Sequence, residues 1–130
     1  MSFKAKLSVG GKDLNVVKCS YELVQEVDNT GRPSSVTKGG QIHLTVESTG
    51  DAFLWEWGCS NFDRKDGTIT FLKRDSDAKL KEIKFKEAYL VNYKEVFDAF
   101  DNNPMYETFV ISAHEIETGG GSVKNEWPSA

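Results

Sequence analysis

The stretch FKAKLSVGGKD, residues 3–13, contains an amphipathic strand followed by a turn. Apolar and polar residues alternate strictly before the glycine pair, as on a strand with one buried face. Two glycines followed by Lys and Asp are typical of a β-hairpin turn. The stretch therefore predicts that the chain begins with two antiparallel strands. The expected apolar face consists of Phe3, Ala5, Leu7 and Val9, and the polar face of Lys4, Lys6 and Ser8.

The strand after this turn changes its apolar face midway. Leu14 and Val16 share one parity, whereas the other is occupied by Val17, Cys19, Tyr21, Leu23 and Val27. A β-bulge or bend at Val16 and Val17 explains the switch. If the strand continued to Val27, it would be about 46 Å long at roughly 3.3 Å per residue. It must then either bend around a barrel corner or project beyond the domain and carry the following loop outward.

Further strand patterns follow along the chain, separated by turn-forming residues. QIHLTVEST alternates in the same way as the first strand, and strand character returns three more times, in GTITFLKR, LKEIKFKEAYLVNYKEVF and MYETFVISAHEIE. We expect six to eight strands in one domain over residues 1–130, with a long loop at 28–40 and a flexible tail at 118–130. The predicted fold class is mainly β, as a closed or nearly closed antiparallel barrel.

One segment, STGDAFLWEWGCSNF, predicts a short α-helix. Thr49 or Asp51 is suited to cap its start, and Gly58 is suited to end it. So short a helix is not stable alone in water and must lie against a sheet. The side expected to be buried comprises Phe53, Leu54 and Trp57.

Two segments are apolar or aromatic on both strand faces, at residues 88–93 and 105–111. Antiparallel strands of a small monomer usually have one wet face. Either the helix and the tail cover the second face, or another subunit does.

Composition and charge exclude several function classes. The net charge is −4 and the basic residues are mixed with acids, so the chain lacks the basic clusters that phosphate binding requires. We predict no nucleic-acid partner. No apolar run is long enough for a signal peptide core or for membrane insertion, which predicts synthesis and folding in the cytoplasm.

No catalytic, cofactor or metal constellation stands out. His43 and His114 have neither metal-ligand spacing nor a neighbouring cysteine, and no serine lies in a nucleophile motif. Cys19 and Cys59 are expected to be reduced, buried thiols, with a disulfide or a reactive thiol as the alternative. We predict that the protein is not an enzyme and needs no cofactor.

In length and arrangement, the chain resembles the tube protein of the type VI secretion system, the Hcp or TssD family, in a shorter and divergent branch. The resemblance is carried by residues 3–49, by the aromatic helix DAFLWEWGC, and by FKEAYLVNYKEVFD with ETFVISAHEIE. It implies a barrel of two sheets with one short flanking helix. It also implies homo-hexameric rings that stack as the inner tube of a contractile injector and carry effectors in the lumen.

The resemblance further implies partners and a location. Besides itself, the chain is expected to meet the sheath, the spike and baseplate proteins, and effector proteins. It would be cytoplasmic when assembled and secreted through the injector without a signal peptide.

Two surfaces are then expected, one between rings and one within a ring. Arg32 and Lys38 are the cations expected to meet acidic turns of the next ring, because six copies at −4 carry −24 formal charges, which only short-range pairing offsets. The predicted ring-stacking residues are Asn29, Thr30, Gly31, Arg32, Pro33, Ser34, Ser35, Val36, Thr37 and Lys38. The predicted within-ring residues are Tyr89, Val91, Tyr93, Tyr106 and Val110.

The alternative is a monomeric β-barrel that binds a small ligand. Tyr21, Trp55 and Trp57 would then line a pocket. An enzyme with a scattered active site ranks third.

Overall fold

The computed structural model describes residues 3–34, 39–60, 62–73, 78–100 and 105–124. Within these residues the chain forms seven strands and one helix, in the order expected from the hydrophobic pattern. The elements are β1 (Phe3–Val9), β2 (Lys12–Tyr21), β3 (Gln41–Glu47), α1 (Phe53–Cys59), β4 (Lys65–Lys73), β5 (Lys79–Phe97), β6 (Met105–Thr118) and β7 (Gly121–Lys124).

Six of the strands close into an antiparallel barrel in the order β3-β2-β1-β4-β5-β6. β3 pairs back onto β6, with Ile42 opposite Ile111, and this pairing closes the sheet. β7 adds a short strand beside the end of β6. The predicted barrel with one short helix is confirmed. The resemblance had implied two sheets, whereas the hydrogen bonds join all strands in one continuous sheet.

The first hairpin forms as its sequence predicts. Gly10 and Gly11 both have positive φ angles, of 57° and 78°, which glycine adopts without steric cost. The register between β2 and β3 shifts between Val16 and Lys18, so Val17 is the extra residue and is 52% exposed. The predicted bulge is therefore confirmed.

Apolar side chains from every strand of the barrel fill its interior. Alternate residues of β1, β3 and β6 point inward, and the helix contributes two more. Such interiors are close-packed. The buried core consists of Leu7, Val9, Leu14, Ile42, Leu44, Val46, Leu54, Trp57, Ile69, Ile83, Phe85, Ala88, Leu90, Phe109, Ile111 and Ala113.

The helix covers one end of this core. β4 pairs with β5 only as far as Ala88, and α1 packs against the inner face of β5 beyond that point. A Cβ on Gly58 would lie 3.1 Å from Leu90, so a glycine permits this close approach. Leu54 and Trp57 are buried as predicted, but Phe53 is only half-buried. We call this region, α1 with the adjoining ends of β5 and β6, the capped end.

Hydrogen bonds tie the helix into place. The N-cap of α1 is Ala52, which makes no side-chain capping bond, so the cap predicted at Thr49 or Asp51 is wrong. Asp51 lies one residue before the N-cap, and its Oδ1 accepts from the backbone N–H of Phe53 at 3.1 Å. Trp57 Nε1–H donates to the carbonyl oxygen of Asp63 at 2.9 Å. A buried indole thus has both its apolar contacts and its polar partner.

Three expectations need correction. β2 ends at Tyr21 rather than continuing to Val27, because the following residues have no sheet to pair with. Part of the predicted flexible tail is the strand β7, which Gly119 allows by turning the chain at a φ of 60°; residues 125–130 lie outside the described residues. Both cysteines are free, but only Cys19 is partly buried, which raises its pKa to about 11, and Cys59 is exposed.

Candidate interaction surfaces

The segment after β2, residues 22–34, leaves the barrel entirely, and we call it the arm. Every residue in it is exposed, so of the two predicted courses for this segment the structure shows the projecting one. Its base is held beside β7: a Cβ on Gly39 would lie 3.0 Å from Leu23 and 3.5 Å from Val123. Leu23 nevertheless remains 65% exposed. The arm thus exposes apolar as well as polar groups.

The tip of the arm is a hairpin built around one carboxylate. Asp28 Oδ1 accepts hydrogen bonds from the backbone N–H of Thr30 at 2.9 Å, from the Thr30 hydroxyl at 2.7 Å and from the backbone N–H of Arg32 at 3.1 Å. Val27 pairs with Pro33 across the turn, and Gly31 has a positive φ of 86°. The bonds from Thr30 and Arg32 lower the pKa of Asp28, because they stabilise its charged form. The tip is therefore preorganised although it buries nothing.

The predicted stacking residues fall on this tip. Asn29, Thr30, Gly31, Arg32, Pro33 and Ser34 are all exposed there, whereas Ser35, Val36, Thr37 and Lys38 lie outside the described residues. Arg32 joins the turn through its backbone: its N–H donates to Asp28 Oδ1, and its carbonyl oxygen accepts from the backbone N–H of Asp28 at 2.8 Å. Neither of these bonds uses its guanidinium.

A second surface is the outer face of β3, β6 and the second half of β5, which we call the neutral face. Cross-strand pairing arranges its twelve residues in four rows of three, of which only Glu47 and Lys94, both at its edges, are formally charged. The rows are Gln41, Ser112 and Tyr89; His43, Val110 and Asn92; Thr45, Thr108 and Lys94; and Glu47, Tyr106 and Val96.

The outer face formed by β1, β2, β4 and the first half of β5 differs sharply in charge. Its strands bring Lys84, Thr68, Ser8 and Asp13 into one row and Glu82, Thr70, Lys6 and Asn15 into the next. Half of the residues in these two rows are charged, as on an ordinary solvated surface. The contrast identifies the neutral face as the side of the barrel that costs least to bury.

The five predicted within-ring residues separate into two groups. Tyr89, Tyr106 and Val110 lie on the neutral face, and Val91 is bulged out of β5 next to it and is 54% exposed. Tyr93 pairs with the buried Phe109 and points inward. The bulge at Val91 shifts the alternation of β5 by one residue and so moves Tyr93 to the inner face. Strict alternation along the sequence had placed Tyr93 on the same face as Tyr89. His43 and Thr45 also lie on the neutral face but were not among the predicted residues. The signal in the sequence was that both are uncharged polar residues on the outward parity of QIHLTVE.

At the capped end, Tyr93 connects the sheet to the helix. Its hydroxyl donates to Glu107 Oε1 at 2.7 Å, and its ring meets Trp55 edge-on, with centroids 5.9 Å apart. Burial raises the pKa of Tyr93, and its bond to the Glu107 carboxyl raises it further. Trp55, itself 60% exposed, lines a shallow groove with Gly58, Cys59 and residues 90–93 of β5.

The predicted ligand pocket is not formed. Trp57 is buried in the core, while Tyr21 lies at the opposite end of the barrel from Trp55. Among the described residues, no group of three or more His, Cys, Asp or Glu side chains is arranged to hold a metal ion. In the same part of the chain, no helix has the length and apolar character needed to cross a bilayer.

The family model and the solved structures that match this chain indicate the same family. The family model described as "Hemolysin coregulated protein Hcp (TssD)" matches residues 1–128. The solved structure of Hcp1 from Flavobacterium johnsoniae is 56% identical, with a TM-score of 0.89, and the match covers 94% of this chain and 99% of that one. No curated protein matches the chain in sequence.

More distant structures share the fold. Hcp1 from Salmonella typhimurium is 10% identical, with a TM-score of 0.75, over 95% of this chain and 92% of that one. A chain of the sheath/tube terminator of an extracellular contractile injection system, PVC, is 18% identical, with a TM-score of 0.58, over 89% of this chain and 93% of that one.

Proposed function

The chain belongs to the Hcp (TssD) family of type VI secretion tube proteins, and from this premise we propose that it forms six-membered rings that stack into the inner tube of a contractile injector. The family is structural rather than enzymatic, so the function of a tube subunit lies in its contacts with other copies. The observation that carries the proposal is the 56% identity to Hcp1 from Flavobacterium johnsoniae over nearly the whole chain.

The neutral face supports a contact within the ring. Burying a charged side chain without a partner is costly, and the centres of protein interfaces are depleted of charge. A neighbour placed on Tyr89, Tyr106 and Val110 would desolvate hydroxyl, amide and aromatic groups. Three charged groups would border the contact: Glu47, Lys94 and the guanidinium of Arg64, which lies 5.9 Å from the centre of the Tyr89 ring. The exposed Val91 extends this contact along β5.

The arm supports a contact between rings. A tip that is already ordered by Asp28 loses little conformational entropy on binding. Each barrel rim carries both signs: Lys4, Lys73 and Lys81 lie beside the arm with Glu82, which pairs with Lys79, and Glu47 and Glu95 lie at the opposite rim with Lys94. Stacking the rings head to tail would bring opposite charges of the two rims together and offset the repulsion between the acidic subunits.

The remaining partners follow from the place of such a tube in an injector. The sheath would surround the stacked rings, the spike and baseplate proteins would meet the end of the tube, and effector proteins would occupy the lumen. The subunit would assemble in the cytoplasm and leave the cell through the injector. The chemistry of this chain does not select one effector.

Oligomeric state tests the proposal most directly. Native mass spectrometry at micromolar concentration should give a particle of about 87 kDa, six chains of 14.5 kDa. Negative-stain images should show rings. A monomer under these conditions would contradict the proposal and favour the monomeric barrel.

A matched pair of variants tests the neutral face. Val110→Lys places a charge at the centre of that face, between His43 and Asn92, and should convert rings into folded monomers. Asn15→Lys adds the same charge to the exposed strand β2 on the other side of the barrel and should leave the rings intact. If Val110→Lys assembled like the unmodified chain, the neutral face would not be the ring contact.

A further inference from the structure

Glu107 is the one charged residue that is buried among those the structure describes, with 3% of its surface exposed. It points inward from β6, opposite Val46 of β3 and Glu95 of β5. Carboxylates are rarely buried to this extent without a cation. The neighbouring inward positions of β6 hold Phe109 and Ile111, so an apolar residue would suit this position.

The contacts of Glu107 lead from the sheet to the helix. The hydroxyl of Tyr93 donates to its carboxyl at 2.7 Å, and the ring of Tyr93 packs edge-on against Trp55 of α1. The Glu107 carboxyl therefore contacts the Tyr93 side chain, which in turn contacts the Trp55 indole. These two contacts connect Glu107 to the exposed face of the helix.

The charged groups around Glu107 oppose its ionisation. Glu95 faces it from β5 and accepts a hydrogen bond from Ser48, whereas Asp51 precedes α1 and is paired with Lys12 of β2 at 3.2 Å. β3 presents the apolar Val46 and then the exposed Glu47, and the acid of α1, Glu56, is exposed. Lys94, the nearest cation on β5, lies on the opposite face of the sheet.

Burial and these two carboxylates raise the pKa of Glu107, and they outweigh the bond from Tyr93, which acts in the other direction. The charged form is therefore the one that the fold disfavours. The free energy of unfolding is largest where Glu107 is protonated in both states, below its ordinary pKa of 4.5. It falls as the pH rises from there through the raised pKa of the folded state.

We propose that Glu107 is a proton-sensitive latch, which in its neutral form stays buried, leaves Tyr93 packed against Trp55 and keeps α1 closed on the sheet. In its ionised form the carboxylate draws water into the capped end and binds the Tyr93 hydroxyl more strongly. Tyr93 then moves with the carboxylate away from Trp55, and the helix loosens. The device would adjust the rigidity of this end of the subunit to the pH of its surroundings.

Thermal unfolding of the full-length protein between pH 5 and pH 8 tests the latch. The melting temperature of the unmodified chain should fall as the pH rises over this range, because the folded state binds the Glu107 proton more tightly than the unfolded state. Glu107→Gln keeps an oxygen that accepts from Tyr93 but cannot ionise, so it should remove most of this fall. Glu56→Gln, an exposed acid of α1 outside the neutral face, is the control and should keep it. An equal fall in Glu107→Gln and in the unmodified chain would overturn the proposal.

Tryptophan fluorescence tests the link to the helix separately. The emission of the unmodified chain should change between pH 5 and pH 8, and this change should disappear in Trp55→Phe and in Glu107→Gln. Tyr93→Phe deletes the connecting hydroxyl and should also abolish the change, while Glu107 still titrates. A change that persists in Tyr93→Phe would show that Glu107 does not act through Tyr93 and would overturn the latch.

Discussion

The arm and the capped end achieve order in opposite ways. The arm buries none of its residues, and its tip is held by bonds that Asp28 makes to positions two and four residues ahead. The capped end depends on side chains that are distant in sequence, with Trp57 buried among residues of the barrel and Glu107 bonded to Tyr93 across a hairpin. One region is stable because its bonds are local, and the other because it excludes water.

Because of this difference, we expect substitutions in the arm to affect assembly and substitutions of buried residues in the capped end to affect folding. A residue of the arm can change without disturbing the core, because residues 22–34 are all exposed. A buried residue of the capped end cannot change without affecting the whole barrel, since that end closes the core. Variants of the two regions should therefore differ in which measurement they alter.

The largest effect is expected from Trp57→Ala at the capped end. Removing the buried indole leaves a cavity and an unpaired carbonyl at Asp63, and should lower the free energy of unfolding by about 3–5 kcal/mol. Urea unfolding measures the loss. Trp55→Ala, on the exposed side of the same helix, is the control and should cost far less. Similar losses for both variants would mean that the helix does not close the core as described.

A smaller and local effect is expected from Asp28→Ala in the arm. The tip loses its acceptor, so the backbone amides of Thr30 and Arg32 should exchange with solvent about fivefold faster or more. The urea midpoint of the whole protein should not move. Asp28→Asn keeps an acceptor oxygen and should restore most of the protection. A shift of the urea midpoint in Asp28→Ala would show that the arm is coupled to the core.

The pKa of Asp28 gives the arm a pH dependence opposite to that of Glu107. Because the folded-state pKa is lowered, the charged carboxylate stabilises the tip above its ordinary pKa of 3.8, and this stabilisation is lost as the pH falls through the lowered value. The amide protection of Thr30 should therefore decrease in strong acid, where the capped end keeps Glu107 protonated.

The smallest effect on the fold is expected from Arg32→Glu. Its backbone N–H still bonds Asp28, so stability and ring formation should be unchanged, while the reversed charge should weaken ring stacking. Electron microscopy of tubes measures this, and Arg32→Lys, which keeps the charge, should stack normally. If Arg32→Glu formed normal tubes, the charge of Arg32 would not contribute to ring stacking. The contact would then depend on the exposed apolar side chains of the arm, Leu23, Val24 and Val27.

Alternation and turn chemistry were enough to predict the barrel, the bulge at Val17 and the place of the helix in the chain. These features depend on residues close together in sequence, so their signals are local. The length of β2 could not be predicted, because a strand ends where its partners end. The side of Tyr93 could not be predicted either, since the bulge at Val91 appears only in the pairing of β5 with β6.

The sequence by itself determined which residues alternate, where the chain turns and which family the chain resembles, because backbone sterics and side-chain polarity act over a few residues. Only the tertiary structure decided the neutral face, which three strands build in rows, and the burial of Glu107 beneath the helix. The physical reason is that burial and cross-strand contact are properties of the closed barrel. They arise when segments far apart in the chain meet and exclude water between them.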